Sequence, residues 1–147
     1  MIRNLKLYEI NTRVWLKRFG ESAKLSSISD NVLDDFQSKG LNIIWLMGIW
    51  KTCPDLIDRC CYEPDLVSAY NNALKDWSRK DLIGSPYSID CYQPEASVAS
   101  EEELLVLKEK LNKRGIKLFL DFVPNHFSAE TRFLKTNPEI FLQADEE

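Results

Sequence analysis

The chain contains a single histidine, His126, and two other side chains able to hold a ligand stand just before it: Asp121 and Asn125. A carboxyl, a carboxamide and an imidazole thus fall within six residues. They follow directly on Ile116-Lys117-Leu118-Phe119-Leu120, an apolar run with the character of a strand. Pro124 has no N–H to give to a sheet ladder, so it marks where regular pairing stops. In parallel α/β sheets, ligand sites form at the carboxyl ends of strands. Position and chemistry are therefore those of a site. Taken alone, the same three residues also suit a strand end with turn-forming polar groups and a satisfied, partly buried histidine.

Positioning such a strand end requires a sheet, and the sequence spells one out in a repeated grammar. Ser29 or Asp30 can cap a helix in which Val32, Leu33 and Phe36 recur at helical spacing. Lys39-Gly40 closes that helix, with a cation for the dipole and a glycine for the left-handed turn. The nearly uninterrupted apolar run Leu41–Met47 follows, as expected of a strand covered on both faces. Ser100-Glu101-Glu102-Glu103 then forms a capping box, and Leu104, Leu107 and Leu111 share one face. Lys113-Arg114-Gly115 ends the second helix, and Ile116–Leu120 is the buried strand after it. Helix, glycine turn and strand occurring twice predict β/α units with a parallel sheet. An earlier segment, Leu5–Leu16, favours a strand over at least half its length through Tyr, Ile, Thr, Val and Trp. Between about residues 48 and 99 lies an aromatic-rich connection far longer than a usual β-to-α loop, with a helix expected around Pro64–Asp76. Glu130–Lys135 reads as a short helix that Asn137-Pro138 breaks.

Bulk composition removes several function classes. A length of 147 residues suits one domain with a real core, and 44% apolar with 29% charged residues is ordinary for a globular protein. The net charge of −4, with Lys and Arg scattered, leaves no electrostatic footprint for nucleic acid. The apolar run Ile43–Trp50 is far shorter than the roughly 18 residues of a membrane span. The first residues carry no apolar stretch of signal-peptide length, so the expected compartment is the cytoplasm. Cys53, Cys60, Cys61 and Cys91 form no C-x-x-C pair and are expected as free thiols, and their spacing fits no zinc site.

Asp121-Phe122-Val123-Pro124-Asn125-His126 resembles the D-x-x-x-N-H motif at the end of the third barrel strand in the α-amylase family of glycoside hydrolases. Three further matches fall in order: Leu7-Tyr8-Glu9-Ile10 resembles the first strand, Ile44–Trp50 the second, and Gly84-Ser85-Pro86-Tyr87-Ser88-Ile89-Asp90 the segment that brings an aromatic ring into the site. The resemblance implies a partial (β/α)8 TIM barrel: about the first three β/α units, with a long loop after the second strand, all in a single amino-terminal fragment spanning 1–147. It also implies an α-linked sugar as substrate. His126 would hydrogen-bond a sugar hydroxyl, Tyr87 would stack on that ring, Asp121 would buttress the floor with an arginine of the next strand, and Asn125 would fix the loop. The resemblance also implies that the matching asparagine is a metal ligand in calcium-dependent relatives, which makes calcium a question for Asn125. It is disfavoured here, because Ca²⁺ takes six to eight oxygens and no loop offers an acidic set.

Two departures limit what is implied. Where many relatives read Y-D-I-x-D-Y, this chain has Tyr87-Ser88-Ile89-Asp90-Cys91-Tyr92, so Cys91 replaces an acid and Asp90 is displaced by one position. A full barrel needs about 250 residues, and the family's catalytic carboxylates lie on later strands. Glycoside hydrolysis needs two carboxylates flanking the bond. The expectation is therefore an α-glucan-acting glycosidase or transglycosidase fragment with no catalytic residues, no cofactor and no metal, inactive alone. A chain supplying the missing strands is the expected partner. The alternative is a non-catalytic α/β module that binds a sugar or a protein. Trp45 and Trp50 read as packing residues, and Glu101–Glu103 as a solvated helix start.

Overall fold

A computed structural model describes residues 4–142. In chain order its elements are strand β1 (Leu7–Asn11), helices α1 (Thr12–Leu16) and α2 (Asp30–Ser38), and strands β2 (Ile43–Met47) and β3 (Trp50–Thr52). Helices α3 (Asp55–Cys60) and α4 (Pro64–Ala73) follow, then β4 (Ile89–Pro94), α5 (Glu101–Lys113), β5 (Lys117–Leu120) and α6 (Phe133–Thr136). Strands β1, β2 and β5 form a parallel sheet in that order, while β3 and β4 form a two-stranded sheet. The α/β class with a parallel sheet is thus the observed one. The chain divides into two compact units, Met1–Lys51 with Gln93–Pro124, and Thr52–Tyr92 with Asn125–Glu147.

The first unit follows the repeated grammar. Ser100 accepts the Glu103 N–H at 3.2 Å while Glu103 accepts the Ser100 N–H at 2.7 Å, closing the capping box that starts α5. Gly40 and Gly115 end α2 and the α5 turn at φ +70° and +74°, where a side chain would be strained. Parallel register places Tyr8, Ile44 and Leu118 in one row and Ile10, Leu46 and Leu120 in the next. Apart from exposed Tyr8, these residues pack with Leu33 and Phe36 of α2 and with Leu107 and Leu111 of α5 in one core.

The alternate row, Glu9, Trp45 and Phe119, lies on the opposite face of the sheet. Glu9 and Phe119 are exposed there and Trp45 is half-buried. This corrects the expectation of a buried strand at Ile116–Leu120, whereas no residue of Leu41–Met47 is exposed. β2 is partly open at Trp45 and Met47, and β5 is exposed at Lys117 and Phe119. The core helices pack on one side only. A second correction concerns the first segment, whose strand stops at Asn11, with α1 running from Thr12 to Leu16. Thr12 and Leu16, one helical turn apart, are both buried, and that burial outweighs the β propensity of Thr, Val and Trp.

In the second unit, α4 spans Pro64–Ala73, shorter than expected, and α6 is a single turn at Phe133–Thr136 rather than Glu130–Lys135. Ile57, Ile89 and Cys91 are its buried apolar residues. Phe127 contacts the rings of Tyr92, Phe133 and Phe141 edge-on. All four cysteines are free thiols. Among the described residues, no helix is long and apolar enough to cross a membrane.

Candidate functional site

Asp121 directly follows β5, and its side chain is buried. One carboxyl oxygen accepts the Trp45 indole N–H at 2.8 Å, and the other accepts the Gly48 backbone N–H at 2.6 Å. The Asp121 carbonyl accepts the Trp50 indole N–H at 2.9 Å. A carboxyl removed from water needs such donors, and hydrogen bonds to it are stronger than neutral ones. Asp121 therefore ties the end of β5 to the end of β2 and to the start of β3. It is the keystone of this strand end.

Arg13 grips the same turn from α1. Its Nε donates to the Gly48 carbonyl and its Nη2 to the Trp50 carbonyl, each at 3.0 Å. Burial lowers the affinity of this guanidinium for its proton below the ordinary arginine value, and the nearby Glu95 carboxylate opposes that effect. Sequence reasoning missed Arg13 and gave Trp45 and Trp50 a packing role only. The signal was present: two tryptophans flank Gly48, and a sheltered indole N–H nearly always finds an acceptor.

The other residues singled out from the sequence, Tyr87, Asn125 and His126, belong to the second unit. Asn125 and His126 are both exposed, and His126 Nδ1 lies 2.9 Å from Asn125 Oδ1. A carboxamide oxygen can only accept, so this contact is a hydrogen bond in the tautomer that carries its proton on Nδ1, and Nε2 is then the ring's acceptor. Tyr87 sits in the turn before β4, half-buried, with its backbone N–H donated to Ser85 Oγ at 3.3 Å. The Ser88 N–H closes that turn on the Ser85 carbonyl at 3.1 Å. Asp121 thus lies in one unit and the other three in the second.

Asp90, the displaced acid, has a structural use. It is buried on β4 and accepts the Arg132 backbone N–H at 2.9 Å, with the Arg132 guanidinium on its other oxygen at 2.9 and 3.1 Å. The Thr131 hydroxyl donates to the Asp90 carbonyl at 2.8 Å, and the Ser128 N–H donates to the Ile89 carbonyl at 2.8 Å. Arg132 also approaches Cys91 Sγ at 2.9 Å, and the Asp90 carboxylate raises its affinity for the proton. These bonds fasten the segment that follows His126 onto β4. Close by, burial pushes the Cys53 thiol above its ordinary value against a Ser128 hydrogen bond that lowers it, with Asp90 adding to the rise.

No protein-family model and no curated protein matches the sequence. Solved structures do match the fold. An α-amylase from Lactobacillus plantarum superposes with a TM-score of 0.66 at 19% identity, over 96% of this chain and 27% of that one. A maltogenic α-amylase, AmyB from Thermotoga neapolitana, gives 0.65 at 19% identity over 96% and 28%. Trehalose-6-phosphate hydrolase from Bacillus licheniformis gives 0.61 at 22% identity over 89% and 19%. The chain spans about a fifth to a quarter of the length of these enzymes. At such identities the likeness is one of fold, and that fold is the one the Asp121–His126 pattern resembles.

Proposed function

We propose that the chain is the amino-terminal part of an α-amylase-family catalytic barrel, contributing the first three β/α units and one wall of an α-glucoside site. The observation that carries this reading is the seat of the D-x-x-x-N-H pattern. It begins immediately after β5, the third strand of a parallel sheet, with Asp121 buried and bonded to the preceding strand end. Polar residues beyond a parallel strand's carboxyl end are where such folds bind ligands.

In this reading the parts divide the work. Asp121 holds the strand ends in register and does not touch the sugar. Asn125 fixes the His126 ring, leaving Nε2 to accept a hydrogen bond from a sugar hydroxyl. Tyr87 offers an apolar ring with a polar rim, suited to a pyranose face. Bond cleavage needs two flanking carboxylates, and Asp121 is committed to Trp45 and Gly48. The chain alone binds and positions. Groups from outside these 147 residues do the cutting. Calcium is not part of this reading, since Ca²⁺ takes six to eight oxygens and Asn125 brings one.

The test is an NMR titration of the chain with maltose, beside Tyr87→Ala and His126→Ala, together with a chromogenic α-glucoside assay. Wild type should shift signals around Tyr87 and His126, both variants should weaken the effect, and no chain should release chromophore. Maltose shifts unchanged in both variants would refute the assignment of the site. Turnover by wild type that His126→Ala abolishes would refute the inactive fragment. The open sheet face at Glu9 and Phe119 favours the second reading, a module that binds a protein partner. Absence of any maltose effect would select it.

A further inference from the structure

We propose that the cavity between the end of α3 and the turn carrying Tyr87 is a thiol-modification site, with Cys61 as the residue that takes a small disulfide and, once substituted, shifts that turn. The site stands on the second unit alone. Its effect on a bound sugar rests on the reading of Tyr87 above.

Three of the four cysteines, Cys53, Cys60 and Cys61, fall within nine residues, and all three line one cavity of about 120 Å³. Its far wall is Ile83, Gly84, Ser85 and Ser88, the turn whose backbone bonds hold Tyr87 ahead of β4. Helix and turn are in close contact: a Cβ at Gly84 would lie 3.2 Å from Ile57 Cγ1. Cys61 follows Ile57 by four residues, so the two share a helix face, and the Cys61 N–H donates to the Ile57 carbonyl at 2.9 Å. A substituent on Cys61 therefore grows between α3 and the turn. The cavity holds only a few groups the size of water, at roughly 30 Å³ each, so a substituent of any length wedges the two apart.

The thiols differ in access. Cys91 is buried and met by Arg132. Cys53 is half-buried and bonded to Ser128, and burial raises its pKa, which depletes the reactive thiolate. Cys60 is exposed and Cys61 half-buried. Both react, but exposure gives a group on Cys60 room outside the cavity, and Cys61 has less.

Internal pairing is disfavoured. A disulfide needs Cα atoms within about 7 Å, and the helical rise of about 1.5 Å per residue carries Cys60 farther than that from Cys53. Consecutive Cα atoms lie about 3.8 Å apart, closer than the roughly 4.4 Å at which disulfides begin, so Cys60 and Cys61 do not bridge without distortion. An external sulfur is the relaxed partner. The Cys61 thiolate attacks one sulfur of the small disulfide, whose S–S bond breaks as the mixed S–S bond forms. The other half leaves as a thiolate and takes up the proton that the cysteine gave. The cysteine is oxidised, the reagent is reduced, and an added thiol reverses the exchange.

The full chain treated with cystamine, followed by tryptic mass mapping and amide NMR, tests the proposal. Cysteamine adducts should form on the peptide of residues 60–75 several-fold faster than on residues 52–59, which hold Cys53. Amide signals of residues 84–88 should shift with them, and dithiothreitol should reverse both. Cys61→Ser, or Cys61→Ala should serine fail to fold by circular dichroism, should lose the turn shifts, whereas Cys60→Ser retains them. No adduct on residues 60–75, equal rates at all four cysteines, adducts with an unshifted turn, or turn shifts that survive in the Cys61 variants would overturn the proposal. Maltose shifts at Tyr87 should weaken several-fold in the modified chain and return with reductant. A chain that takes the adduct and shifts its turn but never responds to maltose keeps the modification site and loses the sugar reading. An unmoved turn with maltose binding intact does the reverse.

Discussion

Replacing Asp121 by asparagine keeps the size of the side chain and changes one acceptor into a donor. Both carboxyl oxygens now receive N–H groups, from Trp45 at 2.8 Å and Gly48 at 2.6 Å, and the residue is only 7% exposed. In Asp121→Asn one of those N–H groups faces an NH₂, and a buried donor without an acceptor costs about 1–3 kcal/mol. The surviving bond passes from a charged to a neutral acceptor, a loss of about 1 kcal/mol. The sum, about 2–4 kcal/mol, is a large share of the 5–15 kcal/mol typical of a domain. With a urea dependence of roughly 2 kcal/mol per molar, the midpoint should fall by about 1–2 M. Tryptophan fluorescence reads this transition directly, because Trp45 and Trp50 are the donors. Amide exchange at Gly48 should accelerate by about tenfold or more, since each 1.4 kcal/mol is tenfold. Trp45→Phe, alone and combined with Asp121→Asn, should show a coupling of about 0.5–3 kcal/mol. An Asp121→Asn midpoint within about 0.3 M of wild type, with Gly48 exchange unchanged, would refute the keystone role.

Three further outcomes are expected. Ser100→Ala removes the acceptor of the Glu103 N–H and should destabilise by about 1 kcal/mol in urea melts, while Ser100→Asp should restore most of that. Asp90→Asn should loosen the segment after His126, seen as faster limited proteolysis between residues 127 and 132 with little change in the Gly48 amide, because the Arg132 clamp belongs to the other unit. Cys53 should alkylate more slowly than exposed Cys60 at pH 8, as burial raises its pKa and reduces the reactive thiolate. The sign follows for stability as well: Cys53 has no effect below the ordinary thiol range, and stability declines as pH rises from that range through the raised folded value.

Much of the first unit was legible because its signals are local. The capping box at Ser100–Glu103 and the glycines after Lys39 and Arg114 mark helix ends by hydrogen-bonding and dihedral demands that few other residues meet. Leu41–Met47 read as a strand because its apolar run is nearly uninterrupted. Exposure was not legible. Lys117–Leu120 looks like a buried strand, yet it forms a sheet edge, and apolar content cannot tell a covered face from one awaiting cover. Nor did the sequence betray α1, since Thr12, Val14 and Trp15 favour strands in isolation and only the burial of Thr12 and Leu16 selects the helix. The network around Asp121 was half visible. The carboxyl stood out by its place after a strand, but its partners are Trp45 and Gly48, far away in sequence, where pairing depends on register. Asp90 stood out only as a misplaced acid, because its partner Arg132 lies 42 residues further on.

Gly48 has a positive φ of +74°, and a glycine there has a shallow torsional landscape, so the peptide planes on either side could swivel with little resistance. Its N–H is drawn to the Asp121 carboxyl, and its carbonyl to the Arg13 guanidinium. Anion on one plane and cation on the next act as two detents on a hinge. The residue most free to turn becomes the one whose rotation is opposed by charge at both ends, and each bond polarises the peptide toward strengthening the other. The direction in which the chain leaves β2 is then a discrete setting instead of a continuous one. Releasing either detent should yield a small number of exchanging exit directions, slow enough to split the resonances of Ile49 and Trp50, while β2 itself keeps its register.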